Sequence, residues 1–151
     1  MGRIPSVMGK TLSVHPSTTR EFKADVSDVV AARRFAIEAV GSWNLGTDDV
    51  ALVVSELAAN AVVHARTPFV LALSLLDDQV VLIEVTDHDH HMPLPAQPSV
   101  WATNGRGLMI VDKLAAAWGA RATIDGDKIL WAEVRVPQIA DDQTPQLSRH
   151  T

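Results

Sequence analysis

Asp48-Asp49-Val50-Ala51-Leu52-Val53-Val54-Ser55-Glu56-Leu57-Ala58-Ala59-Asn60-Ala61-Val62-Val63-His64-Ala65 is the stretch from which the rest of the chain can be placed. At about 100° per residue, Val50, Val54, Leu57, Ala58, Ala61 and Ala65 gather on one face. That pattern predicts a core-packed helix, capped by Thr47 and stopped before Pro68. Glu56, Asn60 and His64 follow one another at i, i+4 and i+8, a stripe roughly 80° wide. Leu52, Val53, Leu57 and Val63 flank it, whereas Ala51, Ser55, Ala59 and Arg66 read as the solvent-tolerant side. The acid and the amide should therefore emerge beside the core. Two hard oxygen donors one turn apart suit Mg²⁺, and the carboxylate could instead orient or deprotonate a nucleophile. Periodicity alone explains them as well by the plain edge of an amphipathic helix.

Outward from this helix, the order is β-α-α-β-β-loop-α-β-β. Residues 1–10 read as a flexible start, and a loose strand interrupted by Pro16 covers 12–22. A helix capped by Asp25 or Ser27 runs from about Asp28 to Ser42, with Val29, Val30, Phe35, Ile37 and Val40 as its apolar positions. Strands are expected at Phe69–Leu76 and Val80–Asp87, turned by Asp77-Asp78-Gln79. The second is nearly all apolar and should be central. His88 to Asn104 is a proline-rich loop of about 16 residues, a length that in a compact domain usually serves function. A helix Leu108–Trp118 and strands Ala120–Asp125 and Lys128–Val136 complete the pattern. Residues 138–151 read as a disordered tail, which leaves one domain over 11–137. The expected class is α+β: a two-layer sandwich with helices on one face of a mostly antiparallel sheet.

Composition narrows the function. The chain has 151 residues, 47% hydrophobic and 21% charged, with a net charge of −5 and no basic block. A nucleic-acid surface would need clustered Lys and Arg, so none is expected. Without cysteine there is no disulfide or thiolate chemistry, which fits a reducing cytoplasm. No apolar run is long enough to suggest a membrane span.

Two further features carry chemistry. Asp87 ends an apolar strand where the long loop begins, a position suited to reading an exocyclic amine or simply to starting a turn. Gly105-Arg106-Gly107 stands immediately before a helix, where glycines, free N–H groups and a forked cation can cradle an anion. Asp87-His88-Asp89-His90-His91 is rich in transition-metal donors, but consecutive loop residues rarely converge on one ion.

Taken together, Glu56-Leu57-x-x-Asn60-Ala61-x-x-His64-Ala65, Asp87 at its strand end, and Gly105-Arg106-Gly107-Leu108-x-Ile110-Val111 resemble the N, G1 and G2 boxes of the histidine-kinase-like ATPases, the GHKL superfamily. The nearest likeness is to the small anti-sigma factor serine-protein kinases and related actinobacterial ATP-binding regulators. Ala32-Arg33-Arg34-Phe35, Trp118-Gly119 and Trp131-Ala132-Glu133 fit the same branch. The resemblance implies a Bergerat-type sandwich binding ATP under a lid at His88 to Asn104. It implies Asn60 as Mg²⁺ ligand, Glu56 as catalytic base or water-orienting carboxylate, and Asp87 as reader of the adenine amine. Gly105, Arg106, Gly107 and Leu108 would form the phosphate side. Partners implied are a sigma factor and a STAS-type anti-anti-sigma protein, with homodimerisation as a family habit. A noncatalytic ATP-dependent binding module is the alternative. Two departures stand out: the G1 box usually runs Asp-x-Gly-x-Gly, but here it is Asp87-His88-Asp89-His90 without the glycines, and Ile129 stands where many members carry a threonine.

Overall fold

A computed structural model describes residues 15–77, 79–90 and 106–139. Five strands form one antiparallel sheet in the order β1-β2-β3-β5-β4: β1 Ser17–Phe22, β2 Phe69–Asp77, β3 Val80–Asp87, β4 Ala117–Ala122 and β5 Lys128–Arg135. The helices are α1 Val26–Ser42, α2 Asp48–Ala59 with a further turn Asn60–Ala65, and α3 Arg106–Leu114. The α+β sandwich and the central place of β3, paired on both sides, are as the sequence predicts.

Alternation on the strands builds the core. Phe69, Leu71 and Leu73 on β2, Val81, Ile83 and Val85 on β3, and Leu130, Ala132 and Val134 on β5 are all buried on one face. The helices close over that face with Val50, Val53, Val54, Leu57, Ala58 and Ala61 from α2. On α1 the buried positions are the small Ala32, Ala36 and Val40, while Val30 and Ile37 are exposed. Of the residues expected to form its core face, Val40 is fully buried and Val29 and Phe35 pack against the core, whereas Val30 and Ile37 are displaced by Ala32 and Ala36, whose small side chains let α1 lie close against α2. Likewise Ala51, read as solvent-tolerant, is buried, and Leu52 and Val63 are exposed.

Local chemistry fixes the ends. Asp25 caps α1: its carboxylate accepts from the Ser27 amide at 3.2 Å, and Asp28 returns a bond to the Asp25 amide at 3.3 Å. Thr47 makes no side-chain cap bond to α2. The α3 helix ends at Leu114, earlier than predicted, and Trp118-Gly119 lies within β4. There a Cβ on Gly119 would meet the Trp131 ring at 3.1 Å, so the bare backbone lets the indole lie across it. At the other edge, Phe22 stacks on Phe69 at 5.3 Å and meets Phe35 edge-on at 6.1 Å, tying the end of edge strand β1 to β2 and to α1. Past Pro137, Gln138 bridges to Leu45 and the Ile139 amide donates to Asn44, so chain contacts continue two residues beyond the expected domain edge. Residues 1–14, Asp78, 91–105 and 140–151 lie outside the described residues, and with them the flexible start, most of the proline-rich loop and the polar tail.

Truncating a fully buried α2 residue tests this packing. Leu57→Ala should lower unfolding stability by about 3 kcal/mol, read as a lower urea midpoint with an unchanged slope.

Candidate functional site

Where α2 passes Ala59 its hydrogen bonding widens. Residues Asn60–Ala65 form a π turn, closed by a bond from the Arg66 amide to Ala61 O at 2.7 Å, and Arg66 ends it in the left-handed region at φ 57°. A π turn holds more residues than an α turn, so the i, i+4, i+8 stripe predicted from a regular helix breaks after Asn60. Glu56 and Asn60 remain one α turn apart and half-buried, whereas His64 is exposed. The structure therefore separates His64 from the acid and amide it was grouped with.

Opposite α2, at the end of the sheet, β3 and β5 place Asp87 and Lys128 in register. Both side chains lie on the core face: Asp87 is 0% exposed and Lys128 3%. The Lys128 ammonium donates to Asn60 Oδ1 at 3.1 Å and stands 3.6 Å from Asp87 Oδ2 and 3.6 Å from Asp89 Oδ2. Sheet and helix layers are thus joined by one buried cation. Removing a partner from such a buried charge costs roughly 3–5 kcal/mol. The sequence reading missed Lys128, although it precedes Leu130, Ala132 and Val134 in strict alternation, which is a direct signal that it faces inward. By the same alternation Ile129 pairs with Thr86 on the outer face.

Asp87 Oδ1 accepts from the Asp89 amide at 2.9 Å, but Asp87 Oδ2 is buried with no hydrogen-bond partner among the described residues. Burial pushes the Asp87 carboxyl above the usual carboxylate range; the Asp89 amide and the Lys128 charge pull the other way without cancelling it. An orphaned, buried acceptor fits a ligand amine that would satisfy it.

The donor-rich run after Asp87 divides into two sets. Asp87 and Asp89 face Lys128, while His88 Nδ1 and His90 Nε2 lie 3.2 and 3.1 Å from Asp127 Oδ1 in the β4–β5 turn. The His88 side-chain bond is the chief reason that the Asp127 carboxyl is held below its ordinary value. The His88 amide also donates to Thr67 Oγ1 at 3.0 Å, fixing the segment to the α2–β2 link. Among the described residues no three His, Asp or Glu side chains converge as a metal-holding group. Asn60 Oδ1, the expected Mg²⁺ ligand, accepts from the Lys128 ammonium, so a metal there would compete with a cation already at the carboxamide. Of the expected phosphate side, Arg106 and Gly107 begin α3 and Leu108 is buried in the core, while Gly105 lies outside the described residues.

A family model, the histidine kinase-like ATPase domain, matches residues 22–131. The chain belongs to that family of ATP-binding domains. No curated protein matches the sequence. The fold is similar to the crystal structure of the RsbU and RsbW domains of Rv1364c from Mycobacterium tuberculosis, with a TM-score of 0.62 and 18% identity. That match covers 82% of this chain and 33% of the other, so the chain spans about a third of that protein's length. No helix among the described residues is long and apolar enough to cross a membrane.

The raised Asp87 value has a definite sign. A carboxyl whose folded value exceeds its unfolded one stabilises the fold fully below the unfolded value, and that contribution is lost as pH rises through the folded value. In thermal melts stepped upward from below pH 3.8, Asp87→Asn should gain on the parent protein as pH rises. A difference that is flat or runs the other way would refute the assignment.

Proposed function

We propose that this chain is an ATP-dependent regulator that acts as an anti-sigma serine/threonine kinase, transferring phosphate to a STAS-type anti-anti-sigma partner and holding a sigma factor on a second surface. The observation that carries the nucleotide part is Asp87 Oδ2, buried beside the Lys128 ammonium with no hydrogen-bond partner among the described residues, within a histidine kinase-like ATPase domain. In this reading Asp87 accepts the adenine amine. Arg106 and the backbone at Gly105 and Gly107 receive the phosphates, with α3 presenting its N-terminal N–H groups. Leu108 sits beneath them in the core.

Transfer to a hydroxyl demands little beyond positioning and charge neutralisation. Glu56, half-buried and one turn before Asn60, takes the proton of the incoming Ser or Thr hydroxyl as the γ-phosphoryl leaves ADP. Mg²⁺ belongs to this reading as a companion of the nucleotide phosphates, with Asn60 open to it only after Lys128 releases the carboxamide. Action in the cytoplasm and pairing as a homodimer are parts of the same proposal, taken from the resemblance.

A second reading, a noncatalytic ATP-dependent binding module, is favoured by one specific observation: Lys128 is bonded to the oxygen a catalytic metal would need. Labelled ATP with a STAS-type substrate separates the two. For a kinase, Glu56→Gln should cut phosphate transfer by about 100-fold or more while ATP affinity stays within about threefold. Asp87→Ala should weaken ATP binding at least about tenfold. Transfer undiminished in Glu56→Gln removes Glu56 from catalysis, and no transfer by the parent protein leaves the module.

A further inference from the structure

Two buried groups of opposite hydrogen-bonding sense lie side by side at the end of the sheet. Asp87 Oδ2 is an acceptor, fully buried, with no hydrogen-bond partner among the described residues. The Lys128 ammonium, on a side chain 4% exposed, stands 3.6 Å from it. An ammonium carries three protons and accepts nothing. Asn60 Oδ1 takes one of them at 3.1 Å, while the Asp87 and Asp89 carboxylate oxygens stand farther off, each at 3.6 Å. Register fixes the pairing: Asp87 and Lys128 oppose one another across β3 and β5 on the core face, and Ile129 turns to the outer face. Whatever meets Asp87 Oδ2 therefore meets a cationic donor beside it.

We infer that Lys128 sets the base selectivity of the site: with Asp87 it forms a donor–acceptor pair that takes a 6-oxopurine nucleotide, such as GTP or ITP, alongside ATP. The inference rests on the nucleotide reading above, in which Asp87 meets the base. A carboxylate alone accepts from the 6-amino group of adenine but would set its lone pairs against the O6 of guanine or hypoxanthine. A site built on such a contact rejects the analogue that lacks the donor by orders of magnitude. Lys128 removes that penalty. Its ammonium donates to O6 while the Asp87 carboxylate accepts from the neighbouring N1–H, giving two charge-assisted hydrogen bonds along one edge of the base. Adenine gives its amine to Asp87 and offers the ammonium only a ring nitrogen, a weaker acceptor than a carbonyl oxygen. Selectivity is a difference of affinities, and this lysine narrows it from the oxopurine side.

The test measures equilibrium binding of ATP, ITP, GTP and tripolyphosphate to the full chain by calorimetry, with MgCl₂ and in mildly alkaline buffer, which favours the Asp87 carboxylate. ITP differs from ATP only along the edge that faces the pair, and tripolyphosphate reports what the phosphates contribute alone. The parent should bind ITP within about tenfold of ATP and at least about tenfold more tightly than tripolyphosphate. GTP should follow ITP. Lys128→Met keeps the length of the side chain but removes the donor, and should shift the ITP-to-ATP affinity ratio at least about tenfold toward ATP. A smaller shift overturns the inference, as does an ITP affinity outside either limit in the parent. Should Lys128→Met fail to fold, the parent's two limits decide alone. ATP bound firmly with ITP and GTP rejected overturns only the inference. ATP and ITP both bound no better than tripolyphosphate overturn the nucleotide reading with it.

Discussion

A lysine can lie buried at the end of this sheet only because oxygens from both layers meet its ammonium, and that requirement constrains much of the site. The register of β3 with β5 must set Lys128 opposite Asp87. The helix layer must bring Asn60 within hydrogen-bond reach, 3.1 Å away. A one-residue slip in β5 would turn Lys128 to the outer face and bring Ile129 inward, leaving the Asp87 carboxylate buried without its cation. Register, helix height and the turn that holds Asp89 are thus coupled through one charge, and the apolar core alone could not specify their alignment so narrowly.

That arrangement also explains which parts of the protein could be read from its sequence. Strand alternation and the apolar face of α2 gave the layers, the helix order and the central position of β3, because those signals are periodic and local. The site was legible only in part. Glu56 and Asn60 could be paired by helical spacing. The loss of His64 from their stripe depends on a π turn, which has no compositional mark in Asn60-Ala61-Val62-Val63-His64-Ala65. The α1 core was misjudged because packing favoured the small Ala32 and Ala36 over the bulkier Val30 and Ile37. Lys128 was visible in the alternation of β5 but lay at its first residue, where strand boundaries are least certain.

The run after Asp87 lacks the usual glycines, and its side chains are not inert. His88-Asp89-His90 continues the strand's alternation, with Asp89 turned to Lys128 and the two histidines turned to Asp127. Glycine in place of Asp89 would lose the contact with Lys128. The two histidine side chains anchor the segment to the β4–β5 turn, and the backbone amide of His88 ties it to Thr67.

Trp118 offers a consequence of a different kind. Its indole N–H donates to Asp112 Oδ1 at 2.8 Å, tying β4 to the far half of α3, the helix whose opening residues adjoin the proposed phosphate side. Trp131 lies on the opposite face of the sheet, over Gly119. The protein therefore carries its own optical gauge. With the other two of its four tryptophans, Trp43 and Trp101, replaced by phenylalanine, displacement of α3 would change the polarity and quenching felt by Trp118 while Trp131 served as an internal standard, allowing ligand entry to be followed by intrinsic fluorescence without an attached dye.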